Sequence, residues 1–454
     1  MLTLIFLALC GILVLGNVLA RIFGGRRVQF YFDVGVLSII SATILYMMLT
    51  GYSDTILSVM AIDRFSLFFM LIATLGLAMV GTVAYSERSK YGDFAVMSSF
   101  SLIGAYIVAG SVSVISIFLG LELMSVASIL VVIMSRKSIE ASVKFFIMAS
   151  ISIAVLALAI VMLYGGSNSF ALSAAPQGDV LLLAAVLFIA AIGVEASIFP
   201  FNVLIPDIYE GSPAFATGML GGINKKVGFA ALMQVLLLVF VKFGSLPMLL
   251  AILSVLTMLY GNVAALMQRK LKRMLAYSSI SQAGYIVIGI AMAQHGGVAA
   301  ALVQIFAHAF LFIGVFAIVS WLETRNRVEI DDVIGLNKEN RLAAFAMTLF
   351  LLSMAGLPFT TGFIGKLLLF VSAINGGFAW LALIGILNSV ISIYYYARPI
   401  MAAYTMKDNA VHSRLRLPLE VTVIACVIIT IALGLFPQPL IGLAQSAAAA
   451  LAAR

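Results

Sequence analysis

Apolar runs of about 20 residues recur along the whole chain, each closed by a short polar or basic stretch. The runs lack the strict alternation of strands in a membrane barrel, and their length is that of a helix crossing a bilayer. They predict an all-α polytopic membrane protein of about 14 spans. The spans fall at 2–20, 30–50, 63–84, 94–110, 112–134, 139–164, 180–208, 213–241, 247–268, 273–293, 297–322, 342–371, 377–404 and 417–440. Turns such as Gly110-Ser111 are too short for anything but antiparallel neighbours in one bundle. The longest polar stretch, Glu323 to Arg341, reads as a loop.

Two of the runs are interrupted. The seventh contains Pro200 and Pro206, and the twelfth contains Gly356, Pro358, Gly362 and Gly365. Proline removes a helical hydrogen bond and glycine loosens the backbone, so both spans should break. Each break carries a Pro-Phe pair, Pro200-Phe201 and Pro358-Phe359, and lies beside an ionisable residue, Glu195 or Lys366. Matching interruptions five spans apart point to inverted repeats around an ion site at membrane depth.

Charge tests the span count. One side of the predicted topology collects Arg21, Arg26, Arg27, Arg88, Lys90, Arg136, Lys137, Arg269, Lys270, Lys272, Arg273, Arg325, Arg327, Lys338, Arg341, Lys407, Arg414 and Arg416. The other side has Arg64, Lys242 and Arg454. Basic residues mark the cytoplasmic face, so both termini are expected on the non-cytoplasmic side. The net charge of +8 is therefore a topology signal rather than a nucleic-acid footprint. The run 2–20 has its arginines after it, not before it, and reads as a retained first span rather than a signal peptide.

A few charges fall within or near the spans. A charge at the bilayer centre costs about 3 kcal/mol or more, so each needs a reason. Arg398, Lys144 and Glu140 are placed to snorkel to an interface. Glu122, Lys225 and Lys366 lie nearer mid-span and are candidate functional groups, with Glu195, Lys226 and Asp207 close by. His308, mid-span in the eleventh run, is either a proton relay or a hydrogen-bonded packing residue. Ser278, Ser279, Ser281, Gln282 and Tyr285 in the tenth run either line a hydrated path or bond neighbouring helices.

Composition agrees with a lipid solvent: 63% of the residues are hydrophobic and 10% charged, where a soluble domain carries about 25% charge. The two cysteines, Cys10 and Cys426, form no metal-ligand spacing. The chain shows no phosphate-binding glycine loop, nucleotide fingerprint or haem-ligand pair, so no cofactor is expected on it.

Several stretches resemble the antiporter-like subunits of respiratory complex I, subunit N of NADH-quinone oxidoreductase most of all. They are FLGLELMSVASIL around Glu122, PFNVLIPDIYEGSP from Pro200, GGINKKVGFAAL around Lys225, LKRMLAYSSISQAGY from Leu271 and AGLPFTTGFIGK ending at Lys366. The D-x-Y-x-G-x-P pattern from Asp207 to Pro213 is similar to subunit N rather than to its larger siblings. The resemblance implies 14 helices in which helices 4–8 and 9–13 form two inverted five-helix repeats, with helices 7 and 12 broken. It divides the chain into 1–92 (three N-terminal helices), 93–242 (first repeat), 243–405 (second repeat) and 406–454 (helix 14).

The resemblance also implies roles in a proton path. Glu122 matches the helix-5 glutamate, Lys225 the central helix-8 lysine with Lys226 as the alternative register, and Lys366 the helix-12 lysine. One position departs: where the family has a lysine before the helix-7 break, this chain has Glu195. Two nearby carboxylates share one proton more readily than both ionise, and Lys226 or Lys144 is a candidate to approach the pair. Iron–sulfur clusters, flavin and quinone are expected on partner membrane and redox subunits, in the plasma membrane of a prokaryote. The rival reading is a cation/proton antiporter of the Mrp type, or the ion-pumping arm of a membrane-bound hydrogenase. The transported ion is a proton or sodium.

Overall fold

Burial sorts the helices into shells. In a computed structural model, residues 2–56, 59–87, 91–134, 138–173, 180–240, 244–406 and 412–454 are described. Arg88, Lys90, Arg136, Lys137, Lys242 and Lys407, all used above to orient the chain, lie outside the described residues.

The first three helices are α1 (Leu2–Phe23), α2 (Arg26–Thr50) and α3 (Arg64–Ser86), with a short antiparallel ribbon, β1 (Asp54–Ile56) and β2 (Met60–Ile62), before α3. Asp63 accepts a hydrogen bond from the Ser66 N–H at 2.9 Å, and the Ser66 hydroxyl accepts one from the Asp63 N–H, so a reciprocal cap starts α3. There follow α4 (Tyr91–Ala109), α5 (Val114–Val132) and α6 (Ile139–Ser167). The seventh run breaks into α7 (Val180–Ala196) and the short α8 (Ile205–Gly211). The eighth is one helix, α9 (Ala214–Val239), with π-helical turns at Leu220–Asn224 and Val235–Val239.

Next come α10 (Leu246–Leu266), α11 (Leu271–Ala291) and α12 (Gly297–Glu323). The Glu323–Arg341 connection is not structureless: it holds a 3₁₀ turn, Asp331–Val333, and a helical turn, Leu336–Glu339, tied by an Arg327–Glu339 ion pair. The twelfth run breaks into α13 (Arg341–Ala355) and α14 (Thr361–Asn375), then α15 (Ala379–Tyr404) follows. Both expected breaks are present, with left-handed backbone at Ser197 (φ 60°) in the first and at Gly356 (φ 105°) and Phe359 (φ 66°) in the second.

The last expected span, 417–440, is corrected. It is α16 (Leu417–Leu435), followed by a separate helix, α17 (Gln438–Ala452). Pro437 and Pro439 end one helix and open the next. Gly434 presses against Phe359 and Thr360, so α16 reaches the second break before the chain turns into α17.

The most apolar windows of α11 and α12 are 94% buried and that of α9 is 89% buried, whereas α1 is 28% buried. Among the described residues, α9, α11 and α12 are thus the axis, and α1, α6 and α16 face outward. One end of the bundle carries Arg21–Asp93 (2.7 Å), Lys270–Glu210 (2.5 Å) and the Arg416 bond to the Ser86 carbonyl. At the opposite end, Thr3 bonds Asp54 and Arg454 pairs with Asp63 at 2.7 Å, so the first and last described helices begin and finish together.

Candidate functional site

Helix α7 stops at the proline break, which leaves Glu195 in its last turn, half-buried within the bundle. Gly228 of α9 favours this: a Cβ there would sit 3.1 Å from the Glu195 Cβ and 3.2 Å from its carbonyl carbon, tighter than ordinary contact, so a side chain would push α7 outward by a few tenths of an ångström. Glu195 accepts a hydrogen bond from the Ser125 hydroxyl of α5 at 3.0 Å. Glu122, one turn earlier on α5, is half-buried and within electrostatic reach of Glu195. Among the described residues Glu122 has no hydrogen bond or ion pair, and no ion pair reaches Glu195.

The π turn Leu220–Asn224 hands α9 over to Lys225 and Lys226, both buried. Lys225 lines a cavity of about 20 Å³ together with Glu195, Asn224 and Tyr209. That is room for one water, and the Asn224 Oδ1 is buried with no protein partner. The Lys225 ammonium itself donates across to α11, to the Ser279 carbonyl at 2.6 Å and the Ser279 hydroxyl at 3.0 Å. Lys226 Nζ lies 2.6 Å from His308 Nδ1 on α12. Adjacent lysines thus point to different partners, and neither bonds Glu122 or Glu195. Lys144, the other candidate to approach the carboxylates, pairs with Glu140 (2.7 Å) and Asp207 (3.0 Å) instead.

The second break is built in the same manner. Gly365 lets α14 touch α12: a Cβ there would lie 2.2 Å from the Gln304 Oε1. The next residue, Lys366, donates to the Ala355 carbonyl and to the Ser389 hydroxyl, each at 3.0 Å, and stands 4.5 Å over the Tyr285 ring. The Ala355 carbonyl is free to accept because α13 ends there. Ser389 also bonds the Tyr285 hydroxyl at 3.2 Å.

Polar side chains of α11 and α12 lie between the two lysine sites. Gln304, one turn before His308, donates to Gln282 at 2.9 Å, and Gln282 donates to the Met354 carbonyl at 2.9 Å. Ser278 bonds Tyr396. The His308 Nε2, the Ser281 hydroxyl and the Gln304 Oε1 are buried without a protein partner. Among the described residues there is no cluster of three or more histidine, cysteine or acidic residues that could hold a metal.

Residues 111–392 match the family model described as NADH:quinone oxidoreductase/Mrp antiporter, TM. The chain belongs to that family. It is 36% identical to NADH-quinone oxidoreductase subunit N of Trichlorobacter lovleyi over 78% of this chain and 77% of the relative. It is 32% identical to F(420)H(2) dehydrogenase subunit N of Methanosarcina mazei over 88% of this chain and 85% of the relative. A chain of Thermus thermophilus respiratory complex I superimposes with a TM-score of 0.86 at 26% identity, covering 96% of this chain and 98% of its own. A chain of the Mrp complex from Dietzia sp. gives 0.91 at 18% identity over 99% and 98%, a likeness of fold.

In this member of the NADH:quinone oxidoreductase/Mrp antiporter family, several polar residues of the bundle interior had no strong sequence signal. Gln304 and Ser125 are isolated polar residues in apolar runs, and Asn224 and Ser389 stand beside other polar residues, Lys225 and Asn388; both patterns are usual for interhelical hydrogen bonding. A sharper signal was the spacing of Gln304 and His308, one helical turn apart on one of the two most buried helices. At the basic end, Glu140, Lys144, Asp207, Arg273, Glu210 and Lys270 form a continuous ion-pair chain across α6, α8 and α11. This replaces solitary snorkelling for Lys144. Arg398 donates to the carbonyls of Leu266 and Gln268 and so caps α10.

Proposed function

We infer that this chain is the antiporter-like, proton-translocating membrane subunit N of a complex-I-type oxidoreductase, and that its protons move along Glu122, Glu195, Lys225, Lys226, His308 and Lys366. The observation that carries this reading is the row of buried ionisable groups linking the two helix breaks, with unpartnered polar atoms between them. Such groups are costly in lipid and are worth keeping only where ions move. Redox chemistry belongs to partner subunits that carry iron–sulfur clusters, flavin and quinone. Their electron transfer acts here as a change of electric field, which alters where along the row a proton is most stable.

The basic end faces the cytoplasm of a prokaryotic cell in this reading, and both described chain ends face outward. Residues 93–242 and 243–405 act as the two half-channels, meeting where Lys225 bonds Ser279. The alternative is an Mrp-type cation/proton antiporter subunit without redox partners. Purification through a tag on this chain separates the two. Co-purifying iron–sulfur subunits, and vesicle acidification that follows electron transfer, support the first. Small membrane subunits alone, with sodium-driven proton exchange, support the second.

A further inference from the structure

At the basic end, α3, α12 and the start of α16 enclose a cavity of about 90 Å³, the volume of about three waters. It lies away from the lysine row. Arg325, Arg414 and Arg416 line it; Arg325 also donates to the Trp321 carbonyl at 3.1 Å, whereas most donors of Arg414 and Arg416 are unspent. Arg414 is exposed and makes no hydrogen bond or ion pair among the described residues. Arg416 donates one N–H to the Ser86 carbonyl and has no carboxylate partner among them. Arg325 stacks on the Trp321 ring at 4.0 Å, donates to the Ser413 hydroxyl at 2.6 Å, and has its nearest carboxylate, Glu339, at 3.6 Å.

Two further features favour an anion here. Trp321 lines the cavity, is 4% exposed, and its indole N–H is buried with no acceptor. A buried donor without an acceptor is costly unless a ligand supplies one. The cavity also opens on the first turn of the 19-residue α16, whose N-cap, Arg416, gives no side-chain cap; Pro418 has no N–H, which leaves the backbone N–H groups of Leu417 and Leu419 at this end. Glu420 lies in that turn but does not line the cavity. The acidic group that does is Glu87, which accepts a hydrogen bond from Ser320. Burial pushes its carboxyl up to about 7, so it withholds much of its negative charge.

We propose that this cavity binds a phosphate-type anion, presented by the headgroup of an anionic phospholipid. Guanidinium forks and a helix N-terminus are matched to phosphate oxygens, and basic pockets between spans at the cytoplasmic side are where such headgroups lodge. The lipid source follows from α16 itself. Leu417 (74% exposed), Val421 (55%), Ile424 (39%) and Ile428 (58%) form one apolar stripe running from the arginines toward the membrane centre. An acyl chain attached to a headgroup in the cavity can lie along it.

The test uses the intact complex containing this chain, in nanodiscs of phosphatidylcholine with or without phosphatidylglycerol, followed by native mass spectrometry. The wild-type chain should retain phosphatidylglycerol and not phosphatidylcholine. The double change Arg414→Gln, Arg416→Gln should weaken retention about tenfold or more. Trp321→Phe, which keeps an aromatic face for Arg325 and every charge but removes the indole N–H, should weaken it severalfold and guards against misfolding of the double variant. Equal retention by all three proteins would overturn the proposal, as would indifference to headgroup charge. Retention of inorganic phosphate added to the detergent-solubilised complex, with no retention of phosphatidylglycerol, would overturn the lipid assignment.

Discussion

A carboxylate buried at a helix break in lipid must be neutral or held by donors. Glu195 has one donor, the Ser125 hydroxyl, a second carboxylate nearby, and a one-water cavity that it shares with Lys225. The sequence-based alternative, a lysine clamped onto Glu195, is not what the packing provides, because Lys144 and Lys226 have other partners. We therefore expect Glu195 to be protonated for part of the cycle and to exchange that proton with Lys225 through the cavity water. Glu195→Gln should cut proton pumping about tenfold or more while assembly is unchanged. Pumping at the normal rate in that variant would make Glu195 a bystander, and loss of assembly with no specific pumping defect would make it structural.

Glu87 supplies a pH test outside the spans. Burial raises its carboxyl from 4.5 to about 7, opposed by the Ser320 hydrogen bond, with Glu323 raising it further and Lys272 lowering it. A carboxyl whose folded value is raised stabilises the fold fully below 4.5, and that contribution is lost as pH rises through about 7. The Tm of the solubilised chain should accordingly fall over this window, and Glu87→Gln should flatten the fall. An identical Tm profile for parent and variant would show that Glu87 titrates normally.

At the scale of elements, the breaks were readable because proline and glycine act locally on the backbone. The split between α16 and α17 was not read, although Pro437 and Pro439 mark it, because an apolar run in lipid often tolerates a proline kink. The seat of α8 was equally hidden. Asp207 and Glu210 are one turn apart and both bond Arg273 of α11, at 2.6 and 2.9 Å. Only packing brings α6, α8 and α11 together, so no local pattern announces the clamp. Arg273→Met should leave two half-buried carboxylates short of a partner and lower stability by about 1–2 kcal/mol. A lower Tm of the solubilised chain should report it, and an unchanged Tm would show that Lys144 and Lys270 suffice.

Across the whole molecule, helical architecture and span order were legible because lipid imposes a simple rule on every apolar run. The costly groups stood out for the same reason: Lys225, Lys226, Lys366 and His308 are buried in the bundle and Glu195 is half-buried. Their partners did not stand out. That Lys225 reaches Ser279 rather than Glu122, and that Gln304 and Gln282 bridge toward the second break, depends on how α9, α11 and α12 pack together. Packing also decides which of these groups are neighbours: α12 touches α9, α14 and α17 along its length, with His308 against Lys226 and Gln304 against Gly365.

The most direct test of this account is Lys366→Met in the intact complex, reconstituted in vesicles. Methionine keeps the apolar stem and removes the charge that Ala355 and Ser389 hold. Electron transfer and proton uptake would be recorded together. The account predicts an assembled complex whose proton uptake is slowed at least about tenfold, equivalent to at least about 1.4 kcal/mol of barrier. A normal ratio of protons moved to electrons transferred would contradict it and remove Lys366 from the path.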